Sequence, residues 1–193
     1  ARNFAQIEST STVPMIFEEE YSNGDVTVMG NPDALPVGYM VSPDLLDYEP
    51  EESIHDIFYK TNMLVRSMGL EDDVYLPVSS YCEYANNLRS TTTEGSNINW
   101  DVVASGTAAS FKVTISNATV GSDIYVYVYS PKGGSVTITQ GEEQISNFEI
   151  RSYQTICLGT FNGEPLSLTV NYSDTNAGVI NFYSYELNRP AYD

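Results

Sequence analysis

The spacing of apolar positions divides the chain into one helical stretch and long tracts of alternation. Ile54, Ile57, Phe58, Thr61, Leu64, Val65 and Met68 recur at intervals of three and four, which sets them on one face of an α-helix. Pro50 suits the first turn, Glu51 and Glu52 the positive end of the helix dipole, Arg66 the negative end and Gly69 a terminator. A helix is therefore expected over about residues 50–69.

Before the helix, Pro14–Phe17 and Asp25–Met29 read as two strands of a hairpin, with Ser22-Asn23-Gly24-Asp25 as the turn. Glu18-Glu19-Glu20 reads as a solvated charge run, because bound Ca²⁺ needs oxygens converging from defined loop positions. Gly30–Val41 follows, where Pro32 and Pro36 fix φ and remove amide donors while Gly30 and Gly38 free the backbone. It reads as a shaped connector, and Leu35 and Val37 are expected to be buried. After the helix, Val74–Val78 is a short strand that could pair with this connector, and residues 86–97 are polar and turn-rich.

The remainder alternates. Strands are expected at Ile98–Ala104, Ser110–Ser116, Asp123–Ser130, Ser135–Gln140, Phe148–Arg151, Gln154–Leu158, Leu166–Tyr172 and Val179–Leu187. In Phe111–Ile115 and Leu166–Tyr172 apolar and polar residues alternate cleanly, so each should bury one face and wet the other. Pro131-Lys132-Gly133-Gly134 and Phe161-Asn162-Gly163-Glu164 read as hairpin turns. The expected fold is mainly β: an antiparallel, jelly-roll-like β-sandwich over residues 83–193, preceded over 1–82 by a small α+β unit of hairpin, connector, helix and strand.

Charge narrows the partners. Of 193 residues, 8 are Lys or Arg and 26 Asp or Glu, a net charge of -18, which repels phosphate backbones and anionic headgroups and argues against nucleic acid. No apolar run reaches the length of a membrane span, and the opening residues lack the apolar core of a signal peptide. Cys82 and Cys157 are too few for a disulfide framework and read as free thiols packed like small apolar side chains.

Candidate chemistry is sparse. The sole histidine, His55, falls beside the apolar stripe of the helix and is expected to be buried there, away from any second metal ligand. No phosphate loop, zinc spacing or cofactor motif is present, so no cofactor and no catalytic residue is expected. A glycosidase-type carboxylate pair is defined by distance in space, which spacing along the chain does not test. The distinctive pattern is Ile124-Tyr125-Val126-Tyr127-Val128-Tyr129, which sets Tyr125, Tyr127 and Tyr129 on one strand face, with Tyr183 and Tyr185 as a second pair. Rings in such rows could stack on sugars while their hydroxyls find partners, or could simply pack within or over the sandwich.

Asp25-Val26-Thr27-Val28, followed by Asn31-Pro32-Asp33-Ala34-Leu35-Pro36-Val37-Gly38-Tyr39-Met40-Val41, resembles the extracytoplasmic C-terminal region of the bacterial YfhO-family membrane proteins. Asn62 and Leu64 of the helix, with Thr61 where that family has Gln, and then Tyr75-Leu76-Pro77-Val78, continue the likeness. So do Tyr125–Ser130, Leu158-Gly159-Thr160-Phe161 with Gly163-Glu164, and Phe182–Leu187. The resemblance implies a non-catalytic, extracytoplasmic fragment of a multi-span protein similar to glycosyltransferases of cell-envelope glycan or teichoic-acid decoration. Its partners would be a cell-envelope glycan and the parent's transmembrane part. Two further readings stand beside it: a free-standing secreted carbohydrate-binding or adhesion module and, ranked last, a hydrolase.

Overall fold

A computed structural model of the protein describes residues 18–23, 26–30, 43–49, 55–92 and 94–192. The chain forms two compact units, Ala1–Ser42 and Pro43–Asp193. In the first, β1 (Glu18–Asn23) pairs antiparallel with β2 (Val26–Gly30). The expected hairpin is there, and the acid run Glu18-Glu19-Glu20 belongs to its first strand. Residues 14–17 and the connector over 31–42, with Leu35 and Val37, lie outside the described residues.

The second unit opens with a 3₁₀ turn, Pro43–Asp47, and the helix α1, Ile57–Ser67. The helix starts later than its apolar spacing implied, because Asp56 caps it: the carboxylate Oδ1 accepts from the amides of Phe58 at 3.0 Å and Tyr59 at 3.1 Å. His55 thus precedes the helix and is exposed. The other end is a Schellman motif. The Gly69 amide donates to the Arg66 carbonyl at 2.9 Å and the Leu70 amide to the Val65 carbonyl at 3.1 Å, with Gly69 at φ +104° where a side chain would be strained.

Strands β3 (Tyr75–Pro77), β4 (Ser80–Asn86), β5 (Leu88–Thr92), β6 (Glu94–Gly95) and β7 (Asn97–Val102) follow. They lead to β8 (Ala109–Ile115), β9 (Asp123–Tyr129), β10 (Gly134–Gln140), β11 (Glu143–Ile150), β12 (Tyr153–Thr160), β13 (Leu166–Tyr172) and β14 (Val179–Leu187), and the short helix α2 (Arg189–Tyr192) closes the series. Two sheets face each other: β12-β9-β14-β7-β5, with β3 also on β14, and β11-β10-β13-β8-β4-β6. The pairings are antiparallel. The molecule is thus the antiparallel β-sandwich that the alternation implied.

Three expectations change. The division at residue 82/83 falls inside β4, whose partners are β8 and β6, so residues 43–193 pack as one unit. The segment after Asn86 supplies β5, β6 and the start of β7; its polar residues belong to strands at a sheet margin, where one face and one edge stay wet. Residues 131–134 and 161–164 are crossovers between the sheets and not hairpin turns, since β9 and β12 lie in one sheet while β10 and β13 lie in the other. Gly133 and Gly134 serve close approach there: a Cβ at Gly133 would sit 2.4 Å from the Ile150 carbonyl oxygen, and one at Gly134 2.5 Å from that of Asn171.

Inward residues of facing strands fill the core: Ile124, Val126 and Val128 of β9, Phe111, Val113 and Ile115 of β8, Leu166, Leu168 and Val170 of β13, and Ile180 and Phe182 of β14. Trp100 stacks on Phe111 with ring centroids 4.5 Å apart. Both cysteines are free; Cys82 packs against this core, whereas Cys157 stands exposed on β12, its outward position following from the alternation that buries Ile156 and Leu158.

A second, smaller cluster fastens α1 to the outer face of the first sheet. Phe58 packs among Tyr183 and Tyr185, with ring centroids 4.8 Å from Tyr185 and 4.9 Å from Tyr75. The Asn62 amide nitrogen donates to the Tyr75 carbonyl at 2.7 Å and its oxygen accepts the Tyr75 amide at 3.0 Å, as a neighbouring strand would. The Tyr185 hydroxyl donates to Asp56 Oδ2 at 2.6 Å. Replacing Asp56 tests this anchor: Asp56→Ala loses the cap and strands a buried hydroxyl, and is expected to cost about 2–4 kcal/mol. Asp56→Asn, which keeps the capping oxygen, should cost clearly less. Urea denaturation of both variants is the measurement, and equal stabilities would contradict the anchor.

Candidate functional site

The outer face of the first sheet carries the tyrosine pattern, and strand register arranges it in rows. Tyr153, Tyr129, Asn181 and Asn99 form one row across β12, β9, β14 and β7; Thr155, Tyr127, Tyr183 and Asn97 form the next. Cys157, Tyr125, Tyr185 and Pro77 form the third, ending on β3.

The helix lies on the third row. Tyr185 is 7% exposed and its hydroxyl is taken by Asp56, while Tyr125 meets the edge of Tyr75 at 5.8 Å. Tyr185 therefore packs under the helix, while Tyr125, half-buried like Tyr127, lies at the margin of that contact. Tyr183 is also 7% exposed and lies 6.2 Å from Tyr127, yet it reaches the margin of an open space beyond the helix start. Tyr127 and Tyr129 keep part of their surface, and Tyr153 is 61% exposed. His55 lies flat on Tyr129, centroids 4.3 Å apart and planes within 8°. Its backbone is held just before the helix cap, and a histidine at that point faces the sheet from the open side.

That open space is a cleft of about 460 Å³. Asn97, Asn99, Asn181 and Tyr183 form its floor, and His55, Asp56 and Tyr59 its wall. The Asn181 side-chain amide donates to the Asn99 side-chain oxygen across the strands, which fixes both amide planes in the floor. Each keeps further donor or acceptor capacity. Asp56 is occupied on both oxygens by the helix cap and by Tyr185, so its lone pairs largely serve the fold. An aromatic surface beside oriented amides can take a ligand with one apolar face and many hydroxyls.

Of the residues singled out in the sequence, the structure buries Tyr183 and Tyr185 against Phe58 of the helix, with Tyr183 also at the cleft, packs Tyr125 and Tyr127 at the edge of that cluster, and sets Tyr129 in the row beside the cleft under His55. The asparagines were missed. Their signal was present in Asn97-Ile98-Asn99-Trp100, where alternation puts both amides on one face, and in Ile180-Asn181-Phe182. His55, Asp56 and Tyr59 gave no such signal, because only docking of α1 brings them to the sheet. Among the described residues no cluster of His, Cys, Asp and Glu could hold a metal ion.

Burial, and after it the negative charge of Asp56, pushes the Tyr183 hydroxyl up to about 12; burial, the hydrogen bond to Asp56 and its charge push Tyr185 higher still. Tyr125 and Tyr127 are raised mainly by burial. Because the folded state holds these protons more tightly, their contribution to stability is full below the ordinary tyrosine value near 10 and is lost as pH rises through about 12. Thermal midpoints are expected to fall over that window, and absorbance titration should show Tyr183 and Tyr185 ionising late. Midpoints that stay flat up to pH 12 would contradict the burial of these hydroxyls.

No protein-family model and no curated protein matches the sequence. Among solved structures, the chain is similar to a family two carbohydrate esterase from Clostridium thermocellum in complex with cellohexaose, at 11% identity and a TM-score of 0.35. That match covers 56% of this chain and 31% of the esterase, so the chain spans about a third of that protein's length. It is also similar to a carbohydrate-binding module of family 29, at 10% identity and a TM-score of 0.36 over 60% of this chain and 78% of the module. The C-terminal family 6 carbohydrate-binding module of LamC, a marine laminarinase from Zobellia galactanivorans, matches at 12% identity and a TM-score of 0.32, over 56% of this chain and 99% of that one.

Proposed function

We propose that this chain is a carbohydrate-binding domain that holds a neutral oligosaccharide in the cleft beside α1 without transforming it. One observation carries the reading: on the outer face of the first sheet, the exposed Tyr59 ring and the His55–Tyr129 stack adjoin a floor of three asparagines, Asn97, Asn99 and Asn181, at an open cleft. The C–H face of a pyranose ring can lie on an aromatic side chain while amides bond its hydroxyls in pairs. The net charge of -18 disfavours an anionic glycan. Asp56, the carboxylate in the cleft, is engaged through both oxygens, which supports binding in preference to acid–base chemistry.

The sequence resemblance to YfhO-family proteins supports an extracytoplasmic setting in which the domain positions a cell-envelope glycan for a membrane-embedded parent. A free-standing secreted module fits the same cleft. Among the described residues no helix is long and apolar enough to cross a membrane. Hydrophobic spans encoded upstream of Ala1 would favour the tethered form.

Tyr59 and Asn97 are exposed and line the cleft, so Tyr59→Ala and Asn97→Ala should leave the fold intact. Calorimetric titration with cellohexaose, laminarihexaose and mannohexaose is expected to show binding to the native chain by at least one of them. Each substitution should weaken it about fivefold or more, as loss of an anchoring contact does. Binding that both variants retain at full strength would remove the cleft from consideration.

A further inference from the structure

The second sheet presents a different face, shaped by one irregularity. Between Cys82 and Tyr84 the register of β4 against β8 shifts, so that Tyr81 pairs with Thr114 and Tyr84 with Lys112. Simple alternation would put Tyr84 on the inner face with Cys82. The bulge turns Tyr81 and Tyr84 to the same outer face, where they are 42% and 45% exposed. Glu83, the extra residue, accepts from the Thr114 hydroxyl and pairs with Lys112 Nζ at 2.7 Å. Thr114 has then spent its proton, so the Ser167 hydroxyl donates to it at 2.6 Å. The hydrogen bonds from Lys112 and then Thr114 hold the Glu83 carboxyl below the usual carboxylate range.

Beside Tyr81 opens a cleft of about 480 Å³, with Glu94, Ser116 and Asn117 on its walls. Tyr81 pairs with Glu94 on one side and Thr114 on the other, so the ring stands in a row of oxygen-bearing side chains that continues to Ser167 and Thr139. The next row runs from Tyr84 through Lys112 and Thr169 to Thr137. Lys112 is neutralised by Glu83, and Glu94 adds negative charge. This combination opposes anionic ligands and offers two aromatic surfaces, a carboxylate, an amide and hydroxyls to an uncharged polyhydroxylated chain.

We infer that the Tyr81 cleft is a second saccharide-binding site, on the opposite sheet from the first, so that one protein molecule engages two neutral glycan chains or two stretches of one. The inference shares the ligand class proposed above but stands on separate residues. Electrophoresis of the full chain through gels containing hydroxyethylcellulose, laminarin or galactomannan tests it, with calorimetric stoichiometry of the unaltered chain on the matching hexasaccharide as a measurement that needs no variant. Retardation is expected in at least one gel, with two saccharides bound per chain. Tyr81→Ala with Tyr84→Ala should reduce retardation several-fold, Tyr59→Ala with Asn97→Ala likewise, and all four together should abolish it. A single site per chain that the Tyr81/Tyr84 variant retains, or unchanged migration of that variant, overturns the second site and leaves the first reading standing. Loss confined to the Tyr81/Tyr84 variant supports this site and removes the first. Absence of retardation in every gel overturns both.

Discussion

One carboxylate sets the relation between helix and sheet on which the first cleft depends. Asp56 begins α1 by accepting two amide hydrogens and, through its other oxygen, receives the Tyr185 hydroxyl from near the end of β14. The helix cannot slide along the sheet without breaking both contacts, and Asn62, six residues on, repeats the constraint through Tyr75. Burying these polar groups is tolerable because each is paired within the same interface. The result is a fixed edge, at the helix start, where covered sheet ends and open sheet begins.

That edge divides the tyrosines by role. Tyr185 and Tyr183 supply apolar surface to Phe58, while Tyr127 and Tyr129 stay half-buried in the rows that lead to the asparagines. A tyrosine strip with a free face all along would be an adhesive patch with little orientation. Covering one end leaves a step whose wall, His55 and Tyr59, stands over the floor. Shape thus comes from the helix and chemistry from the sheet.

On the other sheet the shaping device is local. A bulge at Glu83 re-aims Tyr84 and supplies the carboxylate that neutralises Lys112. The two faces reach similar side-chain chemistry by unrelated means, a docked helix in one and a register shift in the other. Both leave the core between the sheets untouched, since the alternation that buries Phe111, Val113, Ile124 and Val126 continues beneath them.

Alternation in Phe111–Ile115, Ile124–Tyr129 and Leu166–Tyr172 was enough to determine, from sequence alone, that these segments are half-buried strands and that the fold is an antiparallel sandwich, because a period of two has one structural solution when one side is apolar. The helix itself was legible for the same reason, in its 3.6-residue period, although Asp56 moved its start, a capping geometry that periodicity does not contain. What only the tertiary structure decided is which sheet each strand joins, which tyrosines the helix covers, and that the polar segment after Asn86 forms strands. Those outcomes depend on pairings between residues distant in the chain, such as Asp56 with Tyr185 or Tyr81 with Thr114, and local pattern carries no record of such distances.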